Sequence, residues 1–182
     1  MGIERGQRAV FLDRDGVINR AIVVDGRPFP PASLDELEVL PGVADAIARL
    51  RAGGYAIVVV TNQPDVARGT QTRAAIEALH GRLAADLGLD DFRVCVHDDR
   101  DGCACRKPLP GLLHEAAAAR GLDLQRSFMV GDRWRDVEAG RAAGCRTVFI
   151  DRHYAERQPE RPDARVESLA AAADWILTHA IP

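Results

Sequence analysis

Two aspartates two residues apart, Asp13 and Asp15, follow the apolar run Ala9 to Leu12 and precede Gly16. A carboxylate placed there is a competent nucleophile toward a phosphoryl group, and a second carboxyl beside it can carry the leaving-group proton. Asp and Gly also suit an ordinary turn. Thr61-Asn62-Gln63, after the run Ala56 to Val60, offers a hydroxyl and two amides that can donate to phosphoryl oxygens, although polar residues often end strands. Arg106-Lys107-Pro108 supplies an ammonium that would keep nearby carboxylates ionised and neutralise an incoming phosphate. Gly131-Asp132-Arg133-Trp134-Arg135-Asp136 sets two carboxylates four apart at a helix start. They share a face and can complete, with Asp13, an oxygen-ligand site for Mg²⁺; Asp is equally a favoured helix cap.

Lys107 stands out for another reason: of 24 basic residues it is the only lysine. In a chain that uses arginine everywhere else, it either survives by chance or marks a place where a compact ammonium serves and a planar guanidinium does not. Cysteine usage is equally pointed. Cys95, Cys103 and Cys105 cluster around His97, while Cys145 stands apart and reads as a small core residue. Three thiolates and an imidazole suit tetrahedral Zn²⁺ with no open position, hence a structural metal. The same residues could also be buried without a ligand. A zinc knot at 95–105 would stiffen the loop that delivers Lys107. His80, His114, His153 and His179 show no pairing that suggests catalysis.

Positioning such groups requires a frame, and the pattern of short apolar runs supplies one. Strands are expected at Ala9–Leu12, Ala56–Val60, Phe92–Val96, Phe128–Val130 and Thr147–Ile150. Helices are expected at Val43–Ala52, Thr72–Leu87, Leu112–Arg120, Arg133–Ala143 and Ser168–His179, with Ser168 as a cap. Arg152 to Glu167 is charged and proline-bearing, so a loop is expected. Regular alternation of strand and helix implies an α/β fold, a Rossmann-like parallel sheet with helices on both faces. Ligands in such sheets bind beyond the carboxyl ends of the strands, where every motif above lies.

The bounds agree. A chain of 182 residues builds one domain, expected to span 1–182. A net charge of -3 and 5% aromatic residues count against nucleic acid as a partner. Met1 to Gln7 is polar, and the longest apolar run, Tyr55 to Val60, is far short of a membrane span, so a cytoplasmic protein with no membrane association is expected. Oligomeric state is not legible.

The four motifs together, in this order, resemble those of the haloacid dehalogenase superfamily: Asp13-Arg14-Asp15, Thr61, Lys107, and Asp132 to Asp136. The resemblance covers Ala9 to Ile150 and implies a haloacid dehalogenase-like fold with no large cap domain. It implies Asp13 as nucleophile, Asp15 as general acid/base, and Thr61 and Lys107 as holders of the phosphoryl group. Asp13, the backbone carbonyl of Asp15, and Asp132 would bind Mg²⁺, with Asp136 in support. The cysteine loop followed by Cys105-Arg106-Lys107-Pro108 is similar to that of the D-glycero-D-manno-heptose 1,7-bisphosphate phosphatases and their sister histidinol-phosphate phosphatases. Pro110 to Leu113, Ala67-Arg68-Gly69 and Asp15 to Asn19 favour the heptose side. On that likeness a small phosphorylated sugar is the substrate, Arg106 recognises it, and Asn19, Asn62, Gln63, Arg68 and Arg133 lie near it. The chain departs from that family over Ala21 to Pro31 and at Pro64-Asp65, both of which should border the substrate. A phosphatase of polynucleotide 3′ ends and a zinc-stabilised binding module without catalysis are the other readings; the intact carboxylates and lysine count against the latter.

Overall fold

The apolar residues Ala9–Leu12 form β1 and are buried on both faces, as expected of a strand inside a parallel sheet covered by helices. The structure, a computed structural model, describes residues 6–89 and 91–181. Of the polar segment Met1 to Gln7, residues 1–5 therefore lie outside the described residues. The other strands of the main sheet are β4 (Ala56–Asn62), β5 (Phe92–Cys95), β6 (Phe128–Gly131), β7 (Arg146–Ile150) and β8 (Ala164–Val166). They assemble in the order β5-β4-β1-β6-β7-β8, every neighbouring pair parallel. The chain builds outward from β1 through β4 and β5, then crosses back to β6 on the other side. The carboxyl ends of β1, β4 and β6 flank that reversal.

Alternation along β1 divides the core. Val10 and Leu12 join the layer of α1 (Val43–Ala52) and α5 (Leu169–Thr178), where Ile47, Leu50, Leu169 and Ile176 are buried. Ala9 and Phe11 join the opposite layer, with Leu112, Leu113 and Ala116 of α3 (Gly111–Arg120) and Ala139 of α4 (Trp134–Ala143). Burying both faces takes apolar residues at every position, which is why these strands read as unbroken apolar runs. The Ser168 hydroxyl accepts from the Ala171 N–H and starts α5, as expected. The Thr72 hydroxyl does the same for α2 (Arg73–Leu87), and Gly88 ends that helix in the left-handed region. Cys145 is buried in the core, in accord with its expected role.

Two features depart from the expected elements. The loop expected over Arg152 to Glu167 contains β8, three residues that pair with the edge of β7. The segment after β1 folds into an antiparallel hairpin of β2 (Ile22–Val24) and β3 (Arg27–Phe29), separate from the main sheet. No described helix is long and apolar enough to cross a membrane.

Candidate active site

The carboxyl end of β1 delivers Asp13 into a cleft of about 460 Å³, a size suited to a small molecule. β4 delivers Thr61 and Asn62 to the same cleft, the loop after the cysteines delivers Lys107, and the first turn of α4 delivers Asp136. Lys107 is 2% exposed, and its three ammonium protons have three acceptors. These are Asp13 Oδ1 at 2.9 Å, Asp136 Oδ1 at 2.6 Å and the Val60 carbonyl at 2.8 Å. Asp13 Oδ2 makes no hydrogen bond to the protein among the described residues and is left for chemistry. Burial, together with the charges of Asp136 and Asp15, pushes Asp13 up to about 6, with Lys107 opposing. Burial disfavours the charged form of Lys107, but Asp13 and Asp136 outweigh it and hold the ammonium.

Asp15 is the most firmly oriented carboxylate. The Arg14 guanidinium donates to both of its oxygens, at 3.1 and 3.0 Å. Asn19 Nδ2 donates to Oδ1 and Gln63 Nε2 to Oδ2, each at 2.9 Å. Gln63 also donates to Thr61 Oγ1, which leaves the Thr61 hydroxyl proton free to point at a ligand. Arg14 is fully buried and donates its remaining reach to His80 Nε2 at 3.1 Å. Burial, then the Arg14 charge, drives His80 down to about 4, so its ring is neutral and accepts. His80, which the sequence left without a partner, thus sits behind Arg14 and Asp15, stacked on Phe92.

Asp132, at the end of β6, lies beside Asp13 and Asp136, and one oxygen from each lies within 4.8 Å of the others. Its Oδ2 accepts from the Tyr154 hydroxyl at 2.8 Å, while its buried Oδ1 has no protein partner. Burial, reinforced by Asp13 and Asp136, pushes its pKa well above the usual carboxylate range. Gly16 allows this approach: a Cβ there would lie 1.8 Å from Asp132 Oδ2. An orphaned buried oxygen amid crowded carboxylates is what a hard divalent cation would relieve, so the set fits Mg²⁺. The carboxylate of Asp15 is turned away from this trio toward Arg14, Asn19 and Gln63.

The residues expected around a substrate divide into two groups. Arg68, Arg106 and Arg133 line the cleft. Asn19 and Gln63 are buried behind Asp15 instead, with 0% and 1% exposure, because their amides are committed to it. Asn62 borders the cleft, but its amide is taken up by the Lys107 backbone.

A model of the haloacid dehalogenase-like hydrolases matches residues 30–144. A D-glycero-beta-D-manno-heptose-1,7-bisphosphate 7-phosphatase from Pseudomonas aeruginosa is 40% identical over 179 residues, covering 92% of this chain and 97% of that one. The protein of that name from Escherichia coli is 39% identical over 93% of this chain and 87% of its own. Among solved structures, the D,D-heptose 1,7-bisphosphate phosphatase from Bordetella bronchiseptica, complexed with magnesium and phosphate, superposes with a TM-score of 0.81 at 36% identity, covering 95% and 99% of the two chains. The chain belongs to the haloacid dehalogenase-like hydrolases.

In this haloacid dehalogenase-like hydrolase the cysteine loop is also assembled. Cys105 Sγ lies 3.3 Å from His97 Nδ1 and 3.5 Å from Cys103 Sγ. Cys95 Sγ lies 3.6 Å from His97 Nδ1 and 3.7 Å from Cys103 Sγ. A tetrahedral zinc with bonds of about 2.3 Å to sulfur and about 2.0 Å to nitrogen sets ligand–ligand edges of roughly 3.5–3.8 Å, so the donor set fits Zn²⁺. The sulfurs are too far apart for a disulfide, and all four cysteines are free.

Several site residues carried no sequence signal. Tyr154 lies in the charged segment read as a loop, and only the fold brings it to Asp132. Asp99 receives Arg106 at 2.8 Å and Arg135 at 3.1 Å, and Glu156 receives Arg133 at 2.6 Å. Arg27, by contrast, reaches the cleft from the hairpin within Ala21 to Pro31, the segment expected to border the substrate. Its Asp25-Gly26 turn is a recognisable hairpin signal between two β-forming stretches.

Proposed function

We propose that this hydrolase is a Mg²⁺-dependent phosphatase that converts D-glycero-D-manno-heptose 1,7-bisphosphate to heptose 1-phosphate in the cytoplasm, acting as one domain over residues 1–182. The observation that carries this reading is Asp13, with one oxygen fixed by Lys107 and the other free in the cleft, beside an independently oriented Asp15. The free oxygen of Asp13 attacks phosphorus while the bond to the sugar oxygen breaks, and the Asp15 carboxyl gives its proton to the departing oxygen. Asp15 then takes a proton from water, whose oxygen attacks the phosphorus of the aspartyl phosphate and frees Asp13 and inorganic phosphate. Lys107 and the Thr61 hydroxyl face the phosphoryl oxygens and offset their charge. Asp13 and Asp132, with Asp136 behind them, would hold Mg²⁺, which supplies further positive charge to the transferring group. The substrate is drawn from the bisphosphate phosphatases that match nearly the whole chain. Zn²⁺ on Cys95, His97, Cys103 and Cys105 would stiffen the loop that carries Lys107.

The test is phosphate release from the heptose 1,7-bisphosphate, beside histidinol phosphate, with and without Mg²⁺. Mg²⁺-dependent turnover of the bisphosphate, abolished by Asp13→Asn in a folded protein, is expected. Turnover of histidinol phosphate alone would move the enzyme to the sister family.

A further inference from the structure

The cations lining the cleft are, with one exception, already matched to carboxylates. Lys107 is held by Asp13 and Asp136, Arg106 and Arg135 by Asp99, and Arg133 by Glu156. Arg68 donates to Asp98 and Asp65. The exception is Arg27, whose guanidinium makes no hydrogen bond or ion pair with the protein among the described residues, although it lines the same cleft. A paired arginine already has its charge offset by a carboxylate and has fewer N–H donors left for an anion. An unpaired one loses only water.

The hairpin that carries Arg27 is anchored. Asp25 and Gly26 turn it with positive φ of 49° and 73°, and the Gly26 carbonyl accepts from the Ala155 N–H at 2.8 Å. The fit at Gly26 is close: a Cβ there would come within 2.7 Å of the Ala155 Cβ. Beyond β3, the Ala32 carbonyl accepts from Gln71 and the Ala32 N–H donates to Glu36. Pro28 and Phe29 place apolar surface on the cleft beside Arg27. An exposed guanidinium free of carboxylates, carried on an anchored hairpin next to apolar surface and in the same cleft as Asp13, suits a ligand with a carbon body and an anion at each end.

We propose that Arg27 is a specificity-determining residue that binds a second phosphate of the substrate, remote from the one Asp13 accepts. The inference rests on the phosphatase reading for the reacting end, and it extends that reading to the other end.

The experiment is calorimetric titration in the Asp13→Asn background, with Mg²⁺, so that ligands bind without turnover. Matched pairs of sugars that differ only by the second phosphate serve as probes: the heptose 1,7-bisphosphate with heptose 7-phosphate, and fructose 1,6-bisphosphate with fructose 6-phosphate. At least one bisphosphate should bind about tenfold or more tightly than its monophosphate, the range of a charge-assisted hydrogen bond. Arg27→Ala should collapse that ratio toward one, and Arg27→Lys should restore part of it. A ratio near one for every pair before Arg27 is changed, or a ratio that survives Arg27→Ala, overturns the proposal. Failure of the heptose assignment reads out separately, as absence of phosphate release from the heptose bisphosphate by the Asp13 enzyme.

Discussion

The side chain of Asn62 grips the backbone of Lys107, its amide donating to the Lys107 carbonyl at 3.0 Å and its oxygen accepting from the Lys107 N–H at 3.1 Å. An amide on β4 thereby fixes the position of a lysine 45 residues further along, before any ligand arrives. Asn62→Ala leaves two backbone groups without these partners and frees the loop. A fall in kcat of about 10- to 100-fold is expected, with a stability loss of about 1–3 kcal/mol. Thermal unfolding and steady-state kinetics check both, and a kcat within twofold of the parent would remove Asn62 from the machinery.

Lys107→Arg should be nearly as damaging as Lys107→Ala. The ammonium meets Asp13, Asp136 and the Val60 carbonyl in three directions inside a pocket that leaves it 2% exposed. A planar guanidinium is larger and cannot place donors along the same three directions. Losses of about 10²–10³ in kcat are expected for both variants, as for removal of a preorganised donor. Circular dichroism confirms folding, and an arginine variant within a few fold of the parent would refute the geometric argument.

Stabilisation by Mg²⁺ should grow with pH. Burial raises Asp13 from 3.8 to about 6 and lifts Asp132 as well. A carboxyl raised in the folded state holds its proton more tightly there than when unfolded. Its stabilising effect is present in full below the unfolded value and is lost as pH climbs through the folded one. The metal-free protein should therefore lose stability between about pH 4 and pH 6, where carboxylate repulsion develops. A divalent cation offsets that repulsion, so the rise in Tm on adding Mg²⁺ should be larger near pH 7.5 than near pH 5. An equal or greater rise at the lower pH contradicts the assignment of Asp13, Asp132 and Asp136 to the cation.

About one zinc per chain is expected in protein purified without chelator, measured by elemental analysis. Cys103→Ser should remove it and lower Tm and activity together, because the loop that carries the ligands also carries Lys107. Protein free of zinc and fully active would exclude the metal site.

The strands around the site were legible because burial on both faces forces unbroken apolar runs, as in Ala9–Leu12 and Ala56–Val60. Asp13, Thr61, Lys107 and Asp132 were legible because each sits at the end of such a run or beside the cysteines. β8 was not, since three residues that owe their extended form to pairing with β7 carry no period of their own. Three amides show what residue type leaves open. Residue type announces that Asn19, Asn62 and Gln63 can donate, but not to what, and all three spend that capacity on protein groups. Tyr154 and His80 reach their partners only through the fold, across 22 and 66 residues.

The hairpin Ile22–Phe29 stands outside the main sheet, and its turn docks on the segment after β7 through a main-chain contact at Ala155. Asp13 and Thr61 are therefore rooted in strand ends that the whole core holds, while a short ribbon outside the sheet shapes part of the cleft mouth. Exchanging that ribbon offers a route to redirect the catalyst toward other phosphate esters without rebuilding its interior.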